Sequence, residues 1–278
     1  MEILLTLVVI FIFGAAVGSF LNVVAYRSIH GGSIIFDRSK CPHCKHKLVT
    51  ADLVPILSFV ILRGKCRYCS KKISWQYPLV ELSTGLLFVI VSLQGLALEP
   101  EGQALNFAYT LFVLSVLIII FITDIKSGLI PDKVIFPALA IAFIFKLLLL
   151  ITPFLSNIQH PTSTIQYPIS TIQIISDATA GVLAAAFFYL LVTVTKGKGM
   201  GGGDVKYALF LGFALGASKL AVALFLAFLT GAFLSLILIS VGKKRFGQTI
   251  PFGPFLSVGG FAALLFGNEI LNWYLGLH

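Results

Sequence analysis

The chain has 278 residues, of which 58% are hydrophobic and only 11% are charged, and its formal net charge is +9. A soluble domain carries charge on roughly a quarter of its residues, so this composition excludes a soluble globular protein. It also excludes disordered chains and disulfide-rich secreted scaffolds, and it indicates an all-α polytopic membrane protein.

Apolar runs of about 20 residues, the length that spans a bilayer, recur along the chain. The first run covers residues 3–26 and lacks the basic start of a cleaved signal peptide. The seven further predicted spans are 79–98, 105–123, 134–152, 177–195, 205–217, 220–241 and 254–275. The sequence therefore predicts about eight transmembrane helices, of which 205–217 is the shortest.

Basic residues are concentrated on one side of these predicted spans. The 27–78 connection alone holds ten of the 20 Lys and Arg residues but only two acids. If this connection lies in the cytoplasm, every Lys and Arg but three falls on the cytoplasmic side. The exceptions are Lys146, Lys219 and Lys206, and of these Lys206 lies next to that side. The positive-inside rule then places both termini and the uncharged 153–176 connection outside. This charge pattern indicates membrane topology, and we expect no nucleic-acid partner.

All four cysteines lie in the 27–78 connection as two CxxC pairs separated by 21 residues. Each pair puts two sulfurs on one side of a tight turn, and this spacing is typical of a structural, ribbon-like zinc site. A redox pair or a vestigial site are the alternatives, but a redox site needs only one CxxC pair. The predicted zinc ligands are Cys41, Cys44, Cys66 and Cys69. Because four protein ligands leave no open coordination position, this zinc is not expected to be catalytic.

Two aspartates lie at the ends of predicted spans on the cytoplasmic side. Asp124 follows the third span, and Asp204 follows a glycine-rich run that includes Gly201 and Gly203. Two carboxylates held close together share one proton, because like charges about 3 Å apart cannot both be ionised. Such a pair can activate water for peptide hydrolysis. The structural alternatives are an ion pair between Asp124 and Lys126 and a helix-capping role for Asp204.

Several short motifs occur in a fixed order along the chain. They are the Gly- and Asn-containing run 14–27, the two CxxC pairs, Tyr-Pro-Leu-Val-Glu at 77–81, Asp124 with Ile-Pro-Asp at 130–132, Gly-x-Gly-Asp-x-Lys at 201–206 and Pro-Phe-Gly-Pro-Phe-Leu at 251–256. This set resembles the type IV prepilin peptidases, aspartic proteases of the GxGD class, and the cysteines match the bacterial pattern. We therefore divide the chain into a first transmembrane helix (1–26), a zinc-binding loop (27–78) and a bundle that carries the protease site (79–278, core 105–217).

The resemblance implies an enzyme of the bacterial inner membrane that removes the basic leader from prepilins and pseudopilins on the cytoplasmic side. It also implies methylation of the new amino terminus with S-adenosylmethionine, although the chain has no familiar methyl-donor fingerprint. Carried over by position, Asp124 and Asp204 are the catalytic pair. The matching positions with a substrate-binding or supporting role are Gly201, Gly203, Lys206, Asp132, Asn22, Arg27 and Glu81. Helix packing, helix capping and interfacial anchoring are the structural alternatives for these residues.

Two other classes of function compete with a protease. A proton-coupled transporter also uses intramembrane carboxylates, here Asp124 and Asp204, together with glycine-broken helices. Against this class, both aspartates are predicted at one face of the membrane, and no internal repeat relates the two halves of the chain. A zinc-ribbon membrane adaptor without catalysis is the third class, and it makes no prediction about the aspartates.

Overall fold

The structure is a computed structural model that describes residues 2–34, 36–95, 103–159, 171–197, 199–243 and 250–276, without the side chains of 95, 103, 152–159 and 171. The regular structure in these residues is helical, apart from two isolated β-bridges, and this confirms the all-α prediction. The chain divides after Ile119 into two compact units.

The first unit contains two long helices that pack closely against each other. They are α1 (Glu2–His30) and α3 (Gln76–Gly95), and residues 31–75 between them form the cysteine loop, which contains the short helix α2 (Leu57–Ile61). A Cβ atom on Gly18 would lie 2.9 Å from the Cα of Glu81, so the two backbones approach more closely than a larger residue allows. The first part of α4 (Gln103–Ser127) also belongs to this unit.

The second unit contains the end of α4 and five further helices. They are α5 (Asp132–Gln159), α6 (Thr171–Val194), α7 (Gly202–Leu215), α8 (Ala217–Ser240) and α9 (Gly253–Leu275). The short helix α7 contacts α5, α6, α8 and α9, and its Tyr207, Phe210 and Leu211 are completely buried. The helix that carries Asp204 is therefore the core of this unit.

Seven of the described helices are long and apolar enough to cross a membrane, namely α1, α3, α4, α5, α6, α8 and α9. Helix α7 has 14 residues, which at 1.5 Å per residue gives about 21 Å, less than the roughly 30 Å of the hydrocarbon core. Its hydrophobicity reflects burial among other helices. The predicted set of about eight spans thus consists of seven long helices and this short one.

The helix ends differ from the predicted limits of the spans. Most helices continue beyond their apolar runs, because a helix can extend from the hydrocarbon core into the headgroup region. The predicted external loop 153–176 is consequently wrong in its limits: α5 continues through Pro153 to Gln159, and α6 begins at Thr171. Residues 160–170 of that loop lie outside the described residues, as do residues 244–249 between the predicted spans 220–241 and 254–275.

A buried ion pair connects three helices of the second unit. The Lys146 ammonium of α5 lies 2.7 Å from Oδ2 of Asp177 on α6, with side-chain exposures of only 13% and 6%. The other carboxylate oxygen of Asp177 accepts a hydrogen bond from the N–H of Ala217 at the start of α8. Lys146, an exception to the charge pattern of the sequence, therefore has a partner inside the protein.

Candidate active site

Asp124 lies in the last turn of α4, where its side chain is buried against the start of α9. The N–H of Gly253 donates a hydrogen bond of 2.9 Å to Oδ2 of Asp124. The first N–H groups of a helix have no partner within the helix and carry partial positive charge, so this position stabilises an ionised carboxylate. A Cβ atom on Gly253 would lie 2.6 Å from the same oxygen, so a larger residue there would displace the carboxylate or the start of α9.

Asp204 is the third residue of α7 and is also buried. Its Oδ2 accepts a hydrogen bond of 3.2 Å from the N–H of Gly201, just before the helix, so the predicted capping contact is present. Asp204 nevertheless lies close enough to Asp124 for the two carboxylates to interact electrostatically. No ion pair between Asp124 and Lys126 occurs among the described residues. The structure thus brings the two predicted aspartates together at one buried site.

The glycines before Asp204 have different surroundings. A Cβ atom on Gly203 would lie 3.0 Å from the Cβ of Ile130, so the start of α7 packs against the Ile-Pro-Asp motif. Gly201 would have only loose contacts, and Gly202, at the variable position of GxGD, faces open space. Gly203 is therefore needed for close packing, whereas Gly201 contributes its N–H group to Asp204.

Two of the predicted supporting residues bind each other. The Lys206 ammonium of α7 lies 2.6 Å from Oδ1 of Asp132, the first residue of α5, and 5.0 Å from the centre of the Phe136 ring. Both charged side chains are partly exposed, and an exposed pair of this kind contributes at most about 1 kcal/mol. Lys206 and Asp132 thus connect α7 to α5 beside the aspartates without entering the buried site.

Sequence reasoning missed a buried polar pair on α7 and α9. The hydroxyl of Tyr207 lies 2.8 Å from that of Ser257, and both residues are completely buried. Tyr207 also lies within electrostatic range of Asp124 and Asp204. A tyrosine directly after the GxGDxK motif was a usable signal, because a buried tyrosine hydroxyl requires a partner.

The four cysteines form a compact cluster in the first unit. Their Sγ atoms all lie within 4.8 Å of one another, and those of Cys41 and Cys69 are 3.9 Å apart. Tetrahedral zinc with bonds of 2.3 Å separates its sulfur ligands by about 3.8 Å. Each CxxC pair occupies a tight turn closed by an isolated β-bridge, Lys40 with Lys47 and Lys65 with Lys72. The cluster therefore has the geometry of a four-thiolate metal site.

The thiols of this cluster differ in pKa. Burial alone would raise the pKa of Cys41, but hydrogen bonds from the backbone of Cys44 and His43 and from neighbouring thiols lower it to about 7. A backbone hydrogen bond at Lys71 lowers the pKa of Cys69, but burial and the other thiols raise it to about 11. The thiolate of Cys41 therefore forms more easily than that of Cys69, and four thiolates together would carry a large negative charge. A bound metal cation offsets that charge, and all four cysteines are free to ligate it.

Asn22 connects α1 to α3 inside the first unit. Its amide donates hydrogen bonds to the carbonyls of Gly18 and Tyr77, and its oxygen accepts one from the side chain of Gln76. The residue is only 2% exposed. These contacts correspond to the helix-packing alternative for this motif position.

Arg27 and Glu81 attach the cysteine loop to the same two helices. The guanidinium of Arg27 donates hydrogen bonds to three carbonyls of the loop, those of Ser33, Ile34 and Asp37. Glu81 is buried on α3 and accepts a hydrogen bond of 2.7 Å from the N–H of Ile56, just before α2. Arg27 therefore positions the beginning of the loop, and Glu81 positions its middle.

The chain matches two protein families over most of its length. Residues 12–94 match the bacterial peptidase A24 N-terminal domain, and residues 111–236 match the type IV leader peptidase family. A prepilin leader peptidase/N-methyltransferase of Bacillus subtilis is 34% identical over 272 residues, covering 96% of this chain and 97% of that protein. Proteins of the same name from Aeromonas hydrophila and Legionella pneumophila are 33% and 29% identical, each covering 96% of this chain and 92% and 94% of their own length. No solved structure matches the chain.

Proposed function

The chain belongs to the type IV leader peptidase family, and from this membership we propose that it is a membrane-embedded aspartic endopeptidase. Its substrates are prepilins and pseudopilins, from which it removes the leader peptide, and it then methylates the new amino terminus. The observation that carries the proposal is the burial of both aspartates within electrostatic range of each other, with Asp124 bound to the first residue of α9 and Asp204 in the first turn of α7. The protease bundle comprises residues 79–278, with its core at 105–217.

The two aspartates have different surroundings, which support different roles in hydrolysis. Asp124 accepts the shorter hydrogen bond from the start of a helix, so it is the ionised member and takes a proton from a water molecule. Asp204, which keeps the shared proton, donates it toward the carbonyl oxygen of the scissile peptide bond. The hydroxide adds to the carbonyl carbon to give a diol. The C–N bond then breaks as one diol proton returns to Asp204, and the leaving amine takes up the proton gained by Asp124.

We propose that the site and the cysteine loop lie on the cytoplasmic side of a bacterial inner membrane. This orientation rests on the excess of basic residues in the 27–78 connection, and it puts both termini outside. A reporter cysteine within residues 160–170 is expected to react with an impermeant reagent from outside, whereas one within the cysteine loop is not. The reverse labelling pattern would contradict the orientation.

Zinc and S-adenosylmethionine are the proposed metal and methyl donor. Cys41, Cys44, Cys66 and Cys69 would hold the zinc ion as four thiolates, which leaves it a structural role. S-adenosylmethionine supplies the methyl group when it is bound, but no described loop has the glycine-rich sequence of a familiar methyl-donor site. No residue of this chain is therefore assigned to the methyl donor.

Mass spectrometry of a prepilin coexpressed with each variant tests the proteolytic function. Asp124→Asn and Asp204→Asn are each expected to lower cleavage by at least about 100-fold, and the double variant is expected to add little, because the pair acts as one unit. Glu269→Gln, which removes an exposed carboxylate from the far end of α9, is the matched control and should keep full activity. Cleavage that persists in either single variant would refute the aspartic mechanism.

Mass spectrometry also reports on methylation and on the competing functions. A peptide supplied already cleaved should still be methylated by the Asp124→Asn variant, because methyl transfer needs no activated water. Loss of methylation in that variant would show that the two reactions share a site. The relatives give the transporter alternative no support, and a wild-type protein that leaves the prepilin uncut would favour the adaptor without catalysis.

A further inference from the structure

A groove of about 550 Å³ lies in the first unit, where the cysteine loop meets the start of α3. We call it the loop–α3 groove. Helix α2 forms one side through Phe59 and Val60, and the first turns of α3 form the other through Leu79 and Leu82. The volume lies within the range of roughly 300–1,000 Å³ that is typical of ligand pockets.

The groove continues onto exposed apolar surfaces. Leu79 and Leu82 are 58% and 41% exposed on α3, a helix that is long and apolar enough to cross the membrane. On the opposite side, α2 exposes Val60 to 64% and Ile61 to 72%. Trp75 is 69% exposed at the start of α3, in the position that interfacial tryptophans favour. An open apolar surface of this kind fits a membrane interface far better than water.

Three cations line the groove, Arg63, Lys65 and Lys72, and no acidic residue does. None of the three takes part in an ion pair within the described part of the chain. The loop's own acids, Asp37 and Asp52, are bound elsewhere. The β-bridge also holds Lys65 opposite Lys72, which concentrates two positive charges at one side of the groove.

The backbone around the groove is held in uncommon conformations. Ile56 has a φ of 61°, which is strained for a β-branched residue, and Arg63 has a φ of 50°. The buried carboxylate of Glu81 fixes Ile56 through its N–H group, and this contact sets α2 against α3. Strain of this kind persists where the surrounding structure maintains it, and it is common at binding sites. The groove is therefore preformed.

We propose that the loop–α3 groove binds one anionic phospholipid of the surrounding bilayer. The phosphate lies among Arg63, Lys65 and Lys72, and an acyl chain runs from Phe59 along the exposed face of α3. This occupant supplies the missing negative charge, covers the exposed apolar side chains and is continuous with the bilayer that surrounds α3. The bound lipid then anchors the cysteine loop at the membrane surface, independently of the chemistry at the aspartates.

Tryptophan fluorescence of the full chain in nanodiscs tests this proposal. The protein has two tryptophans, so Trp273→Phe leaves Trp75 as the single reporter beside the groove. Brominated phosphatidylglycerol and brominated phosphatidylcholine are compared as quenchers at equal mole fractions in phosphatidylcholine bilayers. Because each basic side chain near an anionic headgroup contributes roughly a fivefold factor, phosphatidylglycerol should be preferred at least fivefold. Equal quenching by the two lipids would overturn the proposal.

The two CxxC turns provide a matched control. Lys65→Gln with Lys72→Gln should remove most of the preference for phosphatidylglycerol, whereas Lys40→Gln with Lys47→Gln removes the same charge from the equivalent bridge outside the groove and should retain it. Equal loss in the two double variants would show diffuse attraction and refute a built site. Metal content monitors folding of the loop. If the first double variant loses metal, Arg63→Gln takes its place, and an unchanged lipid preference there would refute the proposal.

Discussion

Replacement of Gly253 by alanine is expected to remove most of the proteolytic activity while the protein stays folded. The added Cβ atom would lie 2.6 Å from Oδ2 of Asp124, whereas ordinary contacts begin at 3.4 Å. Either the carboxylate or the start of α9 must therefore move by about 0.8 Å. The hydrogen bond from the Gly253 N–H, now 2.9 Å, would lengthen or break with that movement.

The size of the effect follows from this displacement. A misplacement of about 1 Å in a catalytic group lowers the rate by roughly 100-fold, which is about 2.7 kcal/mol in activation free energy. Crowding in a packed interior destabilises the fold by about 1–3 kcal/mol, which an intact membrane bundle can tolerate. The loss should appear in kcat, because the contact with Asp124 acts in the transition state.

The assay is cleavage of a purified prepilin at several substrate concentrations, with thermal unfolding measured in parallel. Gly202→Ala is the matched control, since a Cβ atom there meets nothing within 4 Å, and its kcat should stay within about threefold of the parent. Gly203→Ala, whose Cβ atom would lie 3.0 Å from Ile130, should fall between the two. A folded Gly253→Ala protein with kcat within fivefold of the parent would refute the reasoning, as would an equal loss in Gly202→Ala.

The remaining predictions concern the metal site and the contacts between helices. Elemental analysis should find about one zinc per chain, and Cys41→Ser with Cys44→Ser should release it. The amount of zinc retained should decrease as the pH falls, because protons compete with the metal for the thiolates. Asp177→Asn should destabilise the protein by about 3 kcal/mol or more in thermal unfolding, because it leaves the Lys146 ammonium buried and unpaired. A smaller loss of stability in the double variant Asp177→Leu with Lys146→Met would support this cause. Lys206→Ala should change stability by less than about 1 kcal/mol, and a larger loss would contradict a surface ion pair.

Hydropathy predicted the long helices because their sequences report directly on a lipid environment. Each predicted span overlaps a helix of the structure, from α1 to α9 with the exception of the short α2. Hydropathy could not show whether α7 is surrounded by lipid or by protein. Its Tyr207 and Phe210 are in fact buried among other helices. Hydropathy also could not predict helix ends, because polar residues continue a helix once it has left the hydrocarbon core.

The contacts of the candidate site could be predicted from the sequence only where they were local in the chain. The CxxC spacing predicted a cluster of thiols, because each tight turn places its own two sulfurs. The contact between the Gly253 N–H and Asp124 joins residues 129 positions apart through a backbone atom, which no residue type reveals. The pair of Lys146 and Asp177 depends on how α5 and α6 are rotated about their axes, and a one-dimensional pattern does not determine that rotation.

The attachment of the cysteine loop through Arg27 and Glu81 restricts how the sequence of this chain can change. Arg27 donates to three carbonyls at the entry of the loop, and Glu81 receives the N–H of Ile56 further along it. A deletion that joined α1 directly to α3 would remove the partners of both side chains. Glu81 would then be a buried carboxylate without its hydrogen bond, and an unpaired buried charge costs roughly 3–5 kcal/mol, whereas the partly exposed Arg27 could turn to water. A shortened chain would therefore need an uncharged residue in place of Glu81, and the loop and this carboxylate are expected to be gained or lost together.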